Sequence, residues 1–177
     1  MSTENTKKRP KEEFDFLMNM YKEMGDRLDK VLTKNQVNFK WIGNPDGITE
    51  DFKNYLQDKE KTLSFNTNKY CIFAINYGGR DEILRGIKKL ADQGIDFKNI
   101  TEEALSDSLE LSNVSPIELV IRTKGDEAQR TSGFMSRWIG YAELYFTAKK
   151  CPELDIPTYK EALNWFNNIS EKRNFGK

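Results

Sequence analysis

Apolar residues recur at helical spacing along the first part of the chain. Phe14, Leu17, Met18, Tyr21, Met24, Leu28, Val31 and Leu32 fall mostly three or four apart, which gathers them on one face of a long amphipathic helix. Pro10 suits its first turn and Asn35 its end. Val37 to Ile42 alternates weakly and predicts a strand, closed by a turn over Gly43-Asn44-Pro45-Asp46-Gly47. Thr49 caps a second helix that presents Phe52, Tyr55, Leu56 and Leu63 together. Tyr70 to Ile75 is a short apolar run, as in a buried parallel strand, and it ends at Asn76. Gly78 and Gly79 allow a sharp turn. Asp81 then starts a helix with Ile83, Leu84, Ile87 and Leu90 inward and Gly94 as its stop.

The second half continues the alternation. Thr101 to Leu109 predicts a short helix, and Ile117 to Ile121 a buried strand broken only by Glu118. Ser132 to Phe146 reads as a helix with Met135, Trp138, Ile139, Ala142 and Tyr145 near one face. After Pro152 and Pro157, Thr158 with Glu161 makes a capping box, and the last helix buries Tyr159, Ala162, Leu163, Phe166 and Ile169. Strands alternating with helices predict an α/β fold, a parallel sheet flanked by helices. The 177 residues fit a single domain that can bury roughly 70% of its unfolded surface.

Composition narrows the chemistry. Lysine plus arginine and aspartate plus glutamate each number 28, so no global field draws the chain to nucleic acid or an anionic membrane. No apolar run approaches the ~20 residues of a membrane-crossing helix, and no signal peptide precedes Lys7. The two cysteines suggest neither a metal site nor a disulfide framework, and the cytoplasm is the expected location. Histidine is absent, which excludes Ser-His and Cys-His nucleophile systems and any histidine metal site within this chain. Arginines, carboxylates, hydroxyls and a divalent cation remain.

Those groups meet after the Ile117–Ile121 run. Arg122 ends the predicted strand, Arg130 and Ser132 follow in a glycine-containing loop, and Glu143 lies on the predicted helix. In an open parallel sheet ligands bind where strands end and helices begin. Two arginines, a hydroxyl and a helix amino terminus form a seat for a polyanion, and a carboxylate can help hold a metal ion. A diphosphate site is the expectation, although loop arginines by themselves are more often solvated.

Ile121-Arg122-Thr123, Arg130-Thr131-Ser132-Gly133-Phe134 and Tyr141-Ala142-Glu143-Leu144-Tyr145-Phe146 resemble the carboxy-terminal signature of the cis-prenyltransferases. These undecaprenyl diphosphate synthase-like enzymes build long Z-configured isoprenoid chains. Asn76-Tyr77-Gly78-Gly79-Arg80, Ser2-Thr3-Glu4-Asn5 with Arg9-Pro10, and the tail from Arg173 to Gly176 resemble three further family blocks, in the family order. The resemblance implies that Arg122, Arg130 and Ser132 hold the diphosphate of isopentenyl diphosphate. It makes Glu143 a Mg2+ ligand, and gives Arg9 a contact with an allylic prenyl diphosphate. Ser2 and Asn5 would assist proton removal as catalytic residues, and Asn76 and Arg80 would border the cleft. It further implies a homodimer or heteromer, with at most peripheral membrane contact through the lipid product.

The chain departs from the family pattern in places. Thr6 stands where an aromatic is usual, an extra lysine precedes Arg9, and Glu127-Ala128-Gln129 lengthens the loop before Arg130. The family's Met-Asp-Gly-Asn motif, with its magnesium-binding aspartate, has no counterpart here. The expected fold is therefore the family's α/β sheet without its first strand or strands. Three explanations follow: a start at an internal methionine of an ordinary enzyme, a missing piece on another subunit, or a non-catalytic relative that binds and stabilises an active prenyltransferase.

Overall fold

The computed structural model describes residues 1–170, and the tail from Arg173 to Gly176 lies outside them. The chain divides into two compact units, Met1–Val114 and the residues from Ser115 onward. In unit 1, α1 (Thr3–Lys8) and α2 (Lys11–Asn35) precede β1 (Asn38–Ile42), α3 (Glu50–Thr62), β2 (Tyr70–Ala74), α4 (Gly79–Asp92) and α5 (Glu102–Ser108). Unit 2 contains β3 (Leu119–Arg122), β4 (Glu143–Phe146) and α6 (Ile156–Ser170). Each unit has a two-stranded parallel sheet, β1 with β2 and β3 with β4. The α/β expectation holds.

The core of unit 1 is the meeting of α2, α3 and the sheet. Phe52 and Leu56, four residues apart on α3, are completely buried, and Met18, Leu32, Phe39, Ile48, Leu63 and Ile75 pack around them. The Thr49 hydroxyl accepts the Phe52 N–H and caps α3 as its sequence predicts. Helix α2 ends at Asn35, with Gln36 in the left-handed region at φ 51°. The inward face of α2 differs from the apolar count. Met24 and Val31 are exposed, while Gly25 is buried. A Cβ on Gly25 would overlap the Tyr55 hydroxyl. That close approach lets Tyr55 Oη donate to the Lys22 carbonyl at 2.7 Å and brings Lys59 Nζ within 2.5 Å of Asp29 and 3.0 Å of Asp26. Lys59 is thus a buried charge, kept so by carboxylates from the neighbouring helix.

Helix α4 also turns differently from its apolar count. Glu82, Gly86 and Leu90 face inward, whereas Leu84 and Ile87 are exposed. A Cβ on Gly86 would sit 2.6 Å from the Leu109 side chain, so close contact with the residues after α5 selects the glycine face.

Unit 2 corrects three further expectations. Ser132 to Phe146 is not a helix: turns run to Tyr141 and β4 begins at Glu143. Ser132, Gly133 and Met135 have φ of 52°, 73° and 52°, and that left-handed backbone interrupts the helical ladder. The aromatic-rich end suits a strand and pairs with β3 in the register Leu119 with Glu143 through Arg122 with Phe146. The cap of α6 is Asp155 rather than Thr158. Its carboxylate accepts the Thr158 N–H at 3.0 Å and the Thr158 hydroxyl at 2.6 Å, so the helix starts before the predicted capping box. Ala162 is fully buried on α6 as expected, but Tyr159 is exposed.

Candidate functional site

In unit 1 the carboxyl ends of β1 and β2 open into two interlocked turns. Asn76, at φ 52°, donates its side-chain amide to the carbonyls of Asn44 at 2.8 Å and Asp46 at 2.7 Å. Its own carbonyl accepts the Asn44 N–H at 2.9 Å. The Asn76 amide therefore binds the Gly43–Gly47 turn in place. Gly43 is required there, because a Cβ would overlap the Ile75 carbonyl oxygen.

The first residues of the chain rest on the same spot. The Met1 ammonium donates to the Ala74 carbonyl at 3.0 Å. Tyr77 N–H reaches Met1 O at 3.1 Å and Thr3 N–H reaches Tyr77 O at 3.2 Å, so Ser2 forms a parallel bridge with Tyr77. A Cβ on Gly78 would lie 2.8 Å from the Thr3 hydroxyl. Two blocks more than seventy residues apart are thereby joined, Ser2 on one side and Asn76 to Arg80 on the other. Arg80 is exposed in the first turn of α4. Nothing is described of the Asn5 side chain. Arg9 pairs through Nη1 with Glu13, but its Nε is buried without a hydrogen-bond partner.

In unit 2, Arg122 closes β3, and the chain beyond it folds over the strand ends. Thr147 N–H donates to Arg122 O at 3.0 Å, Gly125 N–H to Thr147 O at 2.8 Å, and Lys124 N–H to Lys149 O at 3.0 Å. The Arg122 Nε is the other buried side-chain atom left without a partner among the described residues. Arg130 and Ser132 lie in the connection that follows, both exposed. Glu143 stands at the amino end of β4, opposite Leu119. By the pleat it shares a face with Ile121 and Tyr145, while Arg122 shares the other face with Leu144 and Phe146. Helix α6 covers the Glu143 face, since Trp165 packs edge-on against Tyr145 with ring centroids 5.3 Å apart. Within unit 2 the strand ends thus collect Arg122 and its loop, and set Glu143 apart.

One family model, for undecaprenyl diphosphate synthase, matches residues 1–176. The chain belongs to the undecaprenyl diphosphate synthase-like prenyltransferase family. A ditrans,polycis-undecaprenyl-diphosphate synthase from Buchnera aphidicola subsp. Schizaphis graminum is 35% identical over 173 residues, covering 96% of this chain and 68% of that protein. Among solved structures, a probable undecaprenyl diphosphate synthase from Campylobacter jejuni has a TM-score of 0.82 and 30% identity over all of this chain and 80% of that one. Lavandulyl diphosphate synthase from Lavandula x intermedia, solved with dimethylallyl diphosphate, has a TM-score of 0.83 and 27% identity over 94% of this chain and 72% of that one.

For a prenyltransferase of this kind the donor set can be tested against a magnesium ion. Among the described residues no three histidine, cysteine or acidic side chains group as a metal site. Glu143 offers one carboxylate, enough for an ion that brings phosphate and water oxygens, but it lies at the opposite strand end and on the opposite face from Arg122, so it does not fit an ion shared with a diphosphate held by Arg122. No helix among the described residues is long and apolar enough to cross a membrane. Motif reading missed Asn44, Asp81, Arg85 and Glu110, which hold the unit 1 turns. Only the Asp81–Arg85 spacing carried a local signal, an i,i+4 ion pair.

Proposed function

We propose that this chain is a cis-prenyltransferase domain that binds isopentenyl diphosphate and an allylic prenyl diphosphate to make polyprenyl diphosphate. The observation that carries this reading is the pair of buried, unpartnered guanidinium Nε atoms, on Arg9 and Arg122. A buried N–H donor without a partner costs about 1–3 kcal/mol, and phosphate oxygens would satisfy it. Both residues occupy positions that the family resemblance gives to diphosphate binding. Both units act as one domain in this reading, since a single family match spans them.

Arg122, Arg130 and Ser132 hold the diphosphate of isopentenyl diphosphate, the arginines because a planar fork bonds two oxygens and stays charged. Arg9 and Arg80 face the allylic diphosphate, and Asn76 keeps the turn beneath it rigid. The allylic carbon–oxygen bond breaks, and the double bond of isopentenyl diphosphate supplies the electron pair for the new carbon–carbon bond. Ser2 and Asn5 then assist departure of the proton that leaves a cis double bond. Glu143 would hold a magnesium ion, which would supply positive charge for a diphosphate. The chain works in the cytoplasm as a homodimer or heteromer.

The test is calorimetry with isopentenyl diphosphate on the wild type and Arg130→Ala. A hydrogen bond between charged groups is worth about 1.5–3 kcal/mol, so affinity should fall by more than tenfold. Unchanged affinity removes Arg130 from the site.

A second reading is a non-catalytic subunit that stabilises an active prenyltransferase. Turnover of farnesyl diphosphate with labelled isopentenyl diphosphate by the purified chain would exclude it. Turnover that appears only on adding an active homologue would support it.

A further inference from the structure

Side chains from separate parts of unit 1 close a hydrogen-bonded ring around the Gly43 turn. Glu110, just past α5, accepts the Gly43 N–H on Oε1 at 3.1 Å. The same carboxylate receives Arg85 Nη1 and Nη2, one on each oxygen, both at 3.0 Å. Arg85 donates Nε to Asp81 Oδ2 at 2.8 Å. Asp81 Oδ1 accepts Asn44 Nδ2 at 3.1 Å, and Asn44 adjoins Gly43, so the circuit returns to its start. From Asn44 two hydrogen bonds lead to Asn76, one in each direction.

The ring differs from ordinary surface ion pairing. Its charged side chains are only 23% to 29% exposed, and the Arg85–Glu110 pair is bidentate, the geometry with the most directional strength. It ends on a main-chain N–H at a position where only glycine fits, so no neighbouring side chain can take over. Beneath it, Glu82 is 1% exposed and accepts both the Glu110 N–H at 3.1 Å and the Tyr77 hydroxyl at 2.5 Å. Glu110 is therefore held at its backbone by the helix that follows the Asn76–Gly79 turn, and holds the Gly43 turn through its carboxylate. Arg85 spends Nε and both Nη groups within the ring, which sets it apart from Arg80 as a candidate phosphate ligand.

We propose that Glu110 is a positioning residue for the diphosphate site. Through Arg85 and the Gly43 N–H it clamps Asn44 against Asn76, and so sets the turn on which Ser2 rests and from which Arg80 projects. This rests on the functional reading above, with the allylic diphosphate as ligand.

The experiment measures farnesyl diphosphate binding by calorimetry for the wild type, Glu110→Ala, Glu110→Gln, Asn44→Ala and the double alanine variant. Thermal melting and amide hydrogen exchange at Gly43 and Asn44 are followed in parallel. Glu110→Ala is expected to weaken binding about tenfold, the loss of a charge-assisted clamp, and to speed exchange at Gly43. Glu110→Gln keeps an oxygen for the Gly43 N–H and should restore affinity to within about threefold. Asn44→Ala cuts the same ring, so the double variant should bind no worse than the weaker single one. Folded Glu110→Ala with wild-type affinity overturns the proposal. If Glu110→Ala does not fold, folded Asn44→Ala with wild-type affinity overturns it equally. If the wild type binds no prenyl diphosphate, the functional reading is what fails, and unchanged exchange at Gly43 in Glu110→Ala, or in Asn44→Ala should Glu110→Ala not fold, would then sink the clamp itself.

Discussion

The two units handle polar groups in opposite ways. Unit 1 surrounds its charges with partners. Lys59 sits between Asp26 and Asp29, Arg85 between Asp81 and Glu110, and the completely buried pair Phe52 and Leu56 lies in a core drawn from three elements. Unit 2 has strands of four residues, each only partly buried along its length. It leaves the Arg122 Nε buried and unpartnered, with Arg130 and Ser132 exposed nearby in sequence. A satisfied guanidinium contributes to the scaffold, whereas an orphaned one has free bonding capacity for an anion. On that criterion the charged groups of unit 1 act mainly as frame, with the Arg9 Nε as an exception, while unit 2 leaves the Arg122 Nε unpartnered.

The contrast can be broken most forcefully in the core. Phe52→Ala should lower stability by about 3–5 kcal/mol, seen as a large fall in the denaturant midpoint, while Leu144→Ala in the half-buried β4 should cost clearly less. Equal losses would mean that unit 2 is as tightly packed as unit 1. Gly25→Ala should come next, at about 1–3 kcal/mol, because the new methyl displaces Tyr55 and with it the Lys59 carboxylate cluster. A neutral result would show that α2 can move away from α3 without loss.

Arg122→Ala should leave the melting temperature nearly unchanged and weaken isopentenyl diphosphate binding about tenfold or more. A large drop in melting temperature with intact binding would make Arg122 scaffold, and erase the distinction between the units. The smallest effect concerns pH. Hydrogen bonds from Thr158, then Lys149, hold the Asp155 carboxyl below the usual carboxylate range. A depressed folded pKa means that its stabilisation is complete above the unfolded value of about 3.9. It fades as pH falls below that value toward the folded one. The amides of the first α6 turn should therefore gain exchange rate in acid relative to Asp155→Asn. Parallel behaviour of the two proteins would remove Asp155 as the cap.

Much of the architecture was written locally. The buried positions Phe52 and Leu56, the Thr49 cap, the α2 stop at Asn35 and the runs that became β1 and β2 all follow from spacing and side-chain type. The same holds for the blocks that place the chain in its family, because they are contiguous residues in a fixed order. Helical periodicity went wrong at Met24, Val31, Leu84 and Ile87, where counting apolar residues overlooked the glycine on the next stripe. At Gly25 and Gly86 a missing side chain creates the contact, and a hydropathy pattern does not register that.

Pairing partners distant in the chain decided the rest. Glu143–Phe146 is a strand only because β3 lies alongside it, and left-handed backbone at Ser132 and Met135 ends any helix before it can reach there. Ser2 meets Tyr77, and Glu110 meets Gly43 and Arg85, across separations that no local pattern encodes. Composition and spacing select which elements form, since those free energies come from neighbours a few residues away. Which guanidinium N–H is hydrogen-bonded and which is left without a partner depends on the groups that folding brings beside it, and that is a property of the packed chain alone.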